Sequence, residues 1–98
     1  MNTLVAIGGV PVTSKLKRTA AYAELLWQRW PRVEDWPGVL DLYEAAAFLR
    51  VDYKSIWRAC LVARTDGKAR LCHQRIGNHY RIARGDLQRF GRVEARAA

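Results

Sequence analysis

Two groups of side chains in this sequence have the right types and spacing for binding chemistry. Tyr53, Lys54, Ser55 and Arg58 cluster within six residues, and Arg75, Asn78, His79 and Arg81 within seven. Both groups combine positive charge with hydrogen-bond donors and aromatic or amide tips. Such residues contact phosphate oxygens and base edges. No arrangement suited to catalysis accompanies them. There is no Ser/His/Asp set and no carboxylate pair in a plausible pocket, and no Gly-Lys-Ser/Thr follows Gly8-Gly9 as a phosphate loop requires. An enzyme is not expected. Cys60, Cys72, His73 and His79 invite a metal reading, but their spacing fits no pair-and-pair zinc pattern. No metal and no cofactor is expected. Two cysteines are also too few for a disulfide framework.

Charge points the same way. The 98 residues carry a net charge of +8. Residues 1–50 hold six Lys/Arg against five acids, whereas residues 51–98 hold eleven against four. The positive field therefore belongs to the second half, and a polyanion such as nucleic acid is the expected partner. The apolar run at 4–12 is too short to span a bilayer, is broken by Gly8-Gly9, and has no basic residue before it. A soluble, cytoplasmic protein without a membrane partner is the expectation.

The elements that must hold these residues can be read from periodicity and caps. Residues 1–13 read as an extended arm or edge strand. Ser14 reads as the N-cap of one helix running to about Trp30, with Leu16, Ala20, Ala23, Leu26 or Trp27, and Trp30 as its apolar stripe. Pro31 ends it, and residues 31–39 read as a linker containing Pro37 and Gly38. Asp41 caps a helix over Leu42 to Leu49, with Ala45, Ala46, Phe48 and Leu49 inward. After Arg50-Val51-Asp52, Asp52 caps a helix over 53–63 with Ile56, Ala59, Cys60 and Ala63 inward. Residues 64–69 form a polar loop with an Asp-Gly turn. Residues 70–76 and 80–82 then pair as a hairpin around Gly77-Asn78, whose positive φ angles suit a tight turn. A short helix over 83–90 packs back through Leu87 and Phe90.

This order of elements carries a family resemblance. Leu40-Asp41-Leu42, Glu44-Ala45-Ala46, Phe48-Leu49, Val51-Asp52, Ile56-Trp57-Arg58, Arg75-Ile76-Gly77, Tyr80-Arg81-Ile82 and Asp86-Leu87 follow one another at spacings seen in excisionase-like, MerR-related domains. Residues 40–90, about half of the chain, resemble that family. The resemblance implies a mainly α fold: a winged helix-turn-helix with a two-stranded β-hairpin wing, here with an extra N-terminal helix. It divides the chain into an N-terminal arm, helix and linker (1–39), a DNA-binding domain (40–90) and a flexible tail (91–98).

The function it implies is sequence-specific binding of double-stranded DNA. The closest role is that of a phage or mobile-element excisionase that bends DNA, assists an integrase and self-associates on DNA. A small transcriptional repressor or a DNA-packaging recognition subunit would use the same fold. A protein-interaction module is the reading from another class, with Trp27, Trp30 and Trp36 as an exposed docking surface rather than an enlargement of the core. Two departures stand out. Arg50 occupies a turn position where the family has Gly, so the turn must change geometry or hold Arg50 at positive φ. The segment between Cys60 and Arg75 is longer than usual. Trp57 stands where the family has Tyr beside the DNA backbone, and partial burial would suit it equally.

Overall fold

A computed structural model describes residues 6–7, 9–61 and 71–97, with backbone only at 6–7 and 93–97. The expected loop at 64–69, the helix end at Ala63 and residue Arg70 lie outside the described residues.

Among the described residues the fold is mainly helical, with a three-stranded antiparallel sheet. The N-terminal segment is a small hairpin, β1 (Ala6–Ile7) against β2 (Val10–Pro11), with Gly9 at φ 81°. The single helix expected over 14–30 is two helices, α1 (Ser14–Lys17) and α2 (Ala20–Arg29). Thr19 divides them. Its backbone is extended, and its hydroxyl donates to the Leu16 carbonyl at 2.8 Å, which satisfies a helix-end acceptor without continuing the helix. The N-cap is Thr13 rather than Ser14, since the Thr13 hydroxyl accepts from the Leu16 amide. The break shifts the buried stripe: Ala20 is exposed, while Tyr22, Ala23 and Leu26 are buried.

The expected linker is structured as well. Residues 33–35 form a 3-10 turn closed by Arg32 and Asp35, and Val39–Leu40 form a strand, β3. Trp36, between them, is 2% exposed. The segment is held from below by Arg84, whose guanidinium donates to the carbonyls of Val33 and Trp36 at 3.2 and 2.6 Å. These charge-assisted bonds satisfy backbone acceptors that strand pairing cannot reach.

Asp41 and Glu44 open α3 (Leu42–Leu49) with a reciprocal capping box. The Asp41 carboxylate accepts the Glu44 amide at 2.7 Å, and the Glu44 carboxylate accepts the Asp41 amide at 2.9 Å. Ala45, Ala46, Ala47 and Phe48 are buried, and Leu49 is half-buried. The helix ends in a Schellman arrangement. The Val51 amide donates to Ala46 and the Arg50 amide to Ala47, at 2.9 and 3.1 Å. Arg50 takes the left-handed conformation there (φ 55°, ψ 44°), the only non-glycine residue with positive φ among the described residues. Its side chain reaches Glu24 and lies 5.6 Å from the Trp27 ring centroid. Left-handed backbone costs a non-glycine residue about 1–2 kcal/mol. Contacts of this exposed kind return about as much. Arg50→Gly should therefore stay within about 1 kcal/mol of the parent, since both terms vanish together. Arg50→Val keeps the strain and loses the contacts, and should cost at least about 2 kcal/mol in chemical denaturation. Equal stability of the two variants would contradict this assignment.

Asp52 caps α4 (Tyr53–Leu61) by accepting the Lys54 amide at 3.3 Å. Ile56, Ala59 and Cys60 face inward, and Leu71 re-enters the core with its amide on the Ala59 carbonyl. β4 (Gln74–Ile76) and β5 (His79–Ala83) form the hairpin, and β3 pairs with the other edge of β5 in the order β3-β5-β4. The sheet thus has three strands, not two, and β4 begins at Gln74 rather than at 70. Gly77 alone supplies a positive φ (60°) in the turn; Asn78 does not share it. α5 (Arg84–Ala97) runs on through residues 91–97, where a flexible tail is expected after Phe90. At Gly91 this helix comes close to α3: a Cβ there would lie 3.0 Å from Leu49 Cδ2.

The core lies between α2, α3, α4, the inner face of the sheet and α5. Trp27, Trp30, Trp36 and Phe48 form its aromatic centre, with ring centroids 4.8 to 5.7 Å apart. The Trp27 indole donates to the Ala47 carbonyl and the Trp36 indole to the Trp30 carbonyl. Trp36 is buried in the core, while Trp27 and Trp30 are half-buried and pack against it. No helix among the described residues is long and apolar enough to cross a membrane.

Candidate nucleic-acid interface

The first turns of α4 and the tip of the β4–β5 hairpin face one open cleft of about 770 Å³. Lys54, Trp57 and Arg58 enter from the helix, Asn78 and His79 from the turn, and Lys17 from α1. Lys54, Trp57, Arg58 and Leu61 recur at three- and four-residue steps and are all exposed, so α4 presents one outward stripe opposite its buried one. The short Asp52 cap sets this rotation: it starts α4 directly after the Arg50 turn.

The eight candidate residues do not all reach the cleft. Lys54 and Arg58 do, and neither has a side-chain hydrogen bond or ion pair among the described residues. Tyr53 is half-buried and packs on Tyr43 at 5.2 Å, so its ring forms the wall and supports the helix. Ser55 is exposed on the flank of α4 that faces Leu49, Phe90 and Gly91, away from the hairpin. Asn78 and His79 sit at the tip and are exposed.

Arg75 and Arg81 separate by strand alternation. Arg75 pairs across the ladder with Tyr80, and Arg81 with Gln74, on the opposite face. The Arg75 guanidinium donates to the Gly77 carbonyl at 3.0 Å and lies 5.6 Å from the Tyr80 centroid. It locks the turn. Arg81 is exposed on the outer face, near Ile76 and His79. Ile82 is fully buried and Tyr80 half-buried, with His73 packed at 5.6 Å from the Tyr80 ring and its Nδ1 donating to the Leu71 carbonyl.

Among the lining residues outside the sequence-based selection, two can add to binding. Trp57 is 42% exposed between two cations. The 54/57/58 spacing is the signal that identifies it. Lys17 belongs to a segment distant in sequence, and nothing local marks it.

Electrostatically the cleft is positive, with Lys17, Lys54 and Arg58 against the single carboxylate of Asp41, which is already held by the α3 cap. Other cations are engaged elsewhere: Arg32 with Asp35, Arg50 with Glu24, Arg89 with Asp86 and Arg84 with carbonyls.

No group of three or more His, Cys, Asp or Glu among the described residues could hold a metal. The two thiols differ sharply in environment. Burial pushes the Cys60 thiol up to about 11, whereas Cys72 is exposed. A native-state thiol titration with an aromatic disulfide reagent should therefore label Cys72 promptly and Cys60 only on unfolding, because the thiolate is the reactive form. Equally fast labelling of both would refute the packing of α4.

In comparisons with known proteins, the chain matches no family model, no curated protein and no solved structure.

Proposed function

We propose that this chain binds double-stranded DNA sequence-specifically as a winged helix-turn-helix protein. In this reading α3 and α4 are the two helices, and the β4–β5 hairpin is the wing. The observation that carries it is the cleft in which unpaired Lys54 and Arg58 of α4 face Asn78 and His79 of the hairpin tip. α4 enters the major groove with its 54/57/58 stripe, where Arg58 can take guanine edges or a phosphate. The hairpin follows the adjacent backbone, with Asn78 and His79 at its tip and Arg81 along its outer face. Arg75 shapes the turn that presents them.

The excisionase-like role is the more specific proposal. It rests on the resemblance of residues 40–90 and entails a DNA bend whose cost of several kcal/mol is offset by backbone contacts. An integrase partner and self-association on DNA belong to this proposal.

The test is fluorescence anisotropy with a labelled random duplex at 50 and 200 mM salt. Three to four phosphate contacts imply a roughly 40- to 150-fold loss of affinity over that interval. Absence of binding to any duplex at 50 mM salt would overturn the proposal.

A further inference from the structure

The helix α1 lies outside the segment that resembles DNA-binding domains, yet its Lys17 lines the same cleft as Lys54, Arg58, Asn78 and His79. Among the described residues Lys17 has no acidic partner within ion-pair distance, although its charge favours the ionised form of the Glu44 carboxyl at longer range. Its neighbour Arg18 explains why it stands there. The Arg18 guanidinium interacts with the Tyr43 side chain, which raises its pKa, and lies 5.8 Å from the Tyr53 ring centroid. Tyr43 and Tyr53 are themselves 5.2 Å apart. Arg18 thereby ties α1 to the first turns of both α3 and α4. The break at Thr19 completes the arrangement, because it frees α1 from the direction of α2.

We infer that Lys17 is a third DNA-contacting element, a phosphate clamp on the wall that α1 gives the cleft, positioned by Arg18. The inference rests on the DNA-binding proposal and extends its footprint into the N-terminal segment. A cation at that place binds a backbone phosphate without reading sequence. Its signature is a uniform loss of affinity and a reduced salt dependence, not a change of preference.

The experiment compares Lys17→Gln with Lys15→Gln in the full chain. Lys15 is an exposed cation of the same helix that does not line the cleft. Duplex binding is measured between 50 and 200 mM salt, and thermal unfolding checks that both variants fold. Lys17→Gln should lower affinity roughly 3- to 10-fold on every sequence and reduce the slope of log affinity against log salt by about 1. Lys15→Gln should leave the slope near that of the parent. If the parent binds with a steep slope and Lys17→Gln does not change it, the clamp is refuted while the DNA-binding proposal stands. An equal slope change in both variants refutes it too, since only diffuse charge is then at work. If the parent binds no duplex, both readings fall.

Discussion

Trp36→Ala should cost about 3–5 kcal/mol of stability, the range for removing a large buried aromatic side chain. Trp36 is 2% exposed and sits at the centre of the aromatic core, 4.8 Å from Trp27 and 5.2 Å from both Trp30 and Phe48. Truncation also strands the Trp30 carbonyl, which accepts the indole proton at 2.9 Å. It loosens the backbone turn whose Trp36 carbonyl holds Arg84. A domain of this size has roughly 5–15 kcal/mol in total, so the variant loses a large share of it. The melting temperature should fall by roughly 15–30 °C. Trp36→Phe keeps most of the ring volume and should cost less than half as much, through the lost indole bond and the smaller ring. Thermal unfolding followed by circular dichroism gives both numbers. A loss under about 1 kcal/mol for Trp36→Ala would mean that residues 31–38 are a dispensable connection after all.

Arg58→Ala should leave stability within about 0.5 kcal/mol, because the side chain is exposed and has no hydrogen-bond or ion-pair partner among the described residues. Its effect should fall on DNA. If the guanidinium reads a guanine, the variant loses about 1–3 kcal/mol on the preferred site, roughly 5- to 150-fold, and discriminates less at that base pair. If it clamps a phosphate, the loss is the same on all sequences and the salt slope drops by about 1. A site selected from random duplexes supplies the preferred sequence, and competition binding separates the two outcomes. Unchanged affinity together with unchanged preference would remove Arg58 from the interface.

The contrast between these residues indicates what a sequence can reveal. Asp41 and Asp52 mark the starts of α3 and α4 because a cap is a local signal, and both accept the amides expected of them. Arg50 betrays the turn by being the wrong residue in it, and its φ of 55° is one of the two solutions the sequence leaves open. The stripe of α4 was legible in part: Lys54 and Arg58 face the cleft, whereas Tyr53 supports it from beneath.

What stayed hidden was set by tertiary contacts. Leu16, Ala20 and Ala23 keep helical spacing across Thr19, so periodicity runs on where the chain breaks. β3 has only two residues, too few for alternation to register, and exists because β5 offers a free edge to Val39 and Leu40. The Arg84 bonds to the 33–36 turn span about fifty positions and leave no local trace. Lys17 is in the cleft for the same kind of reason.

The most direct test of the account is an amide-resolved nuclear magnetic resonance titration of the full chain with a duplex it binds. The largest shifts should fall on α4 around Lys54, Trp57 and Arg58 and on the hairpin tip around Asn78 and His79, on one connected face. Shifts confined to the outer surfaces of α2 or α5, with α4 and the hairpin unmoved, would contradict it.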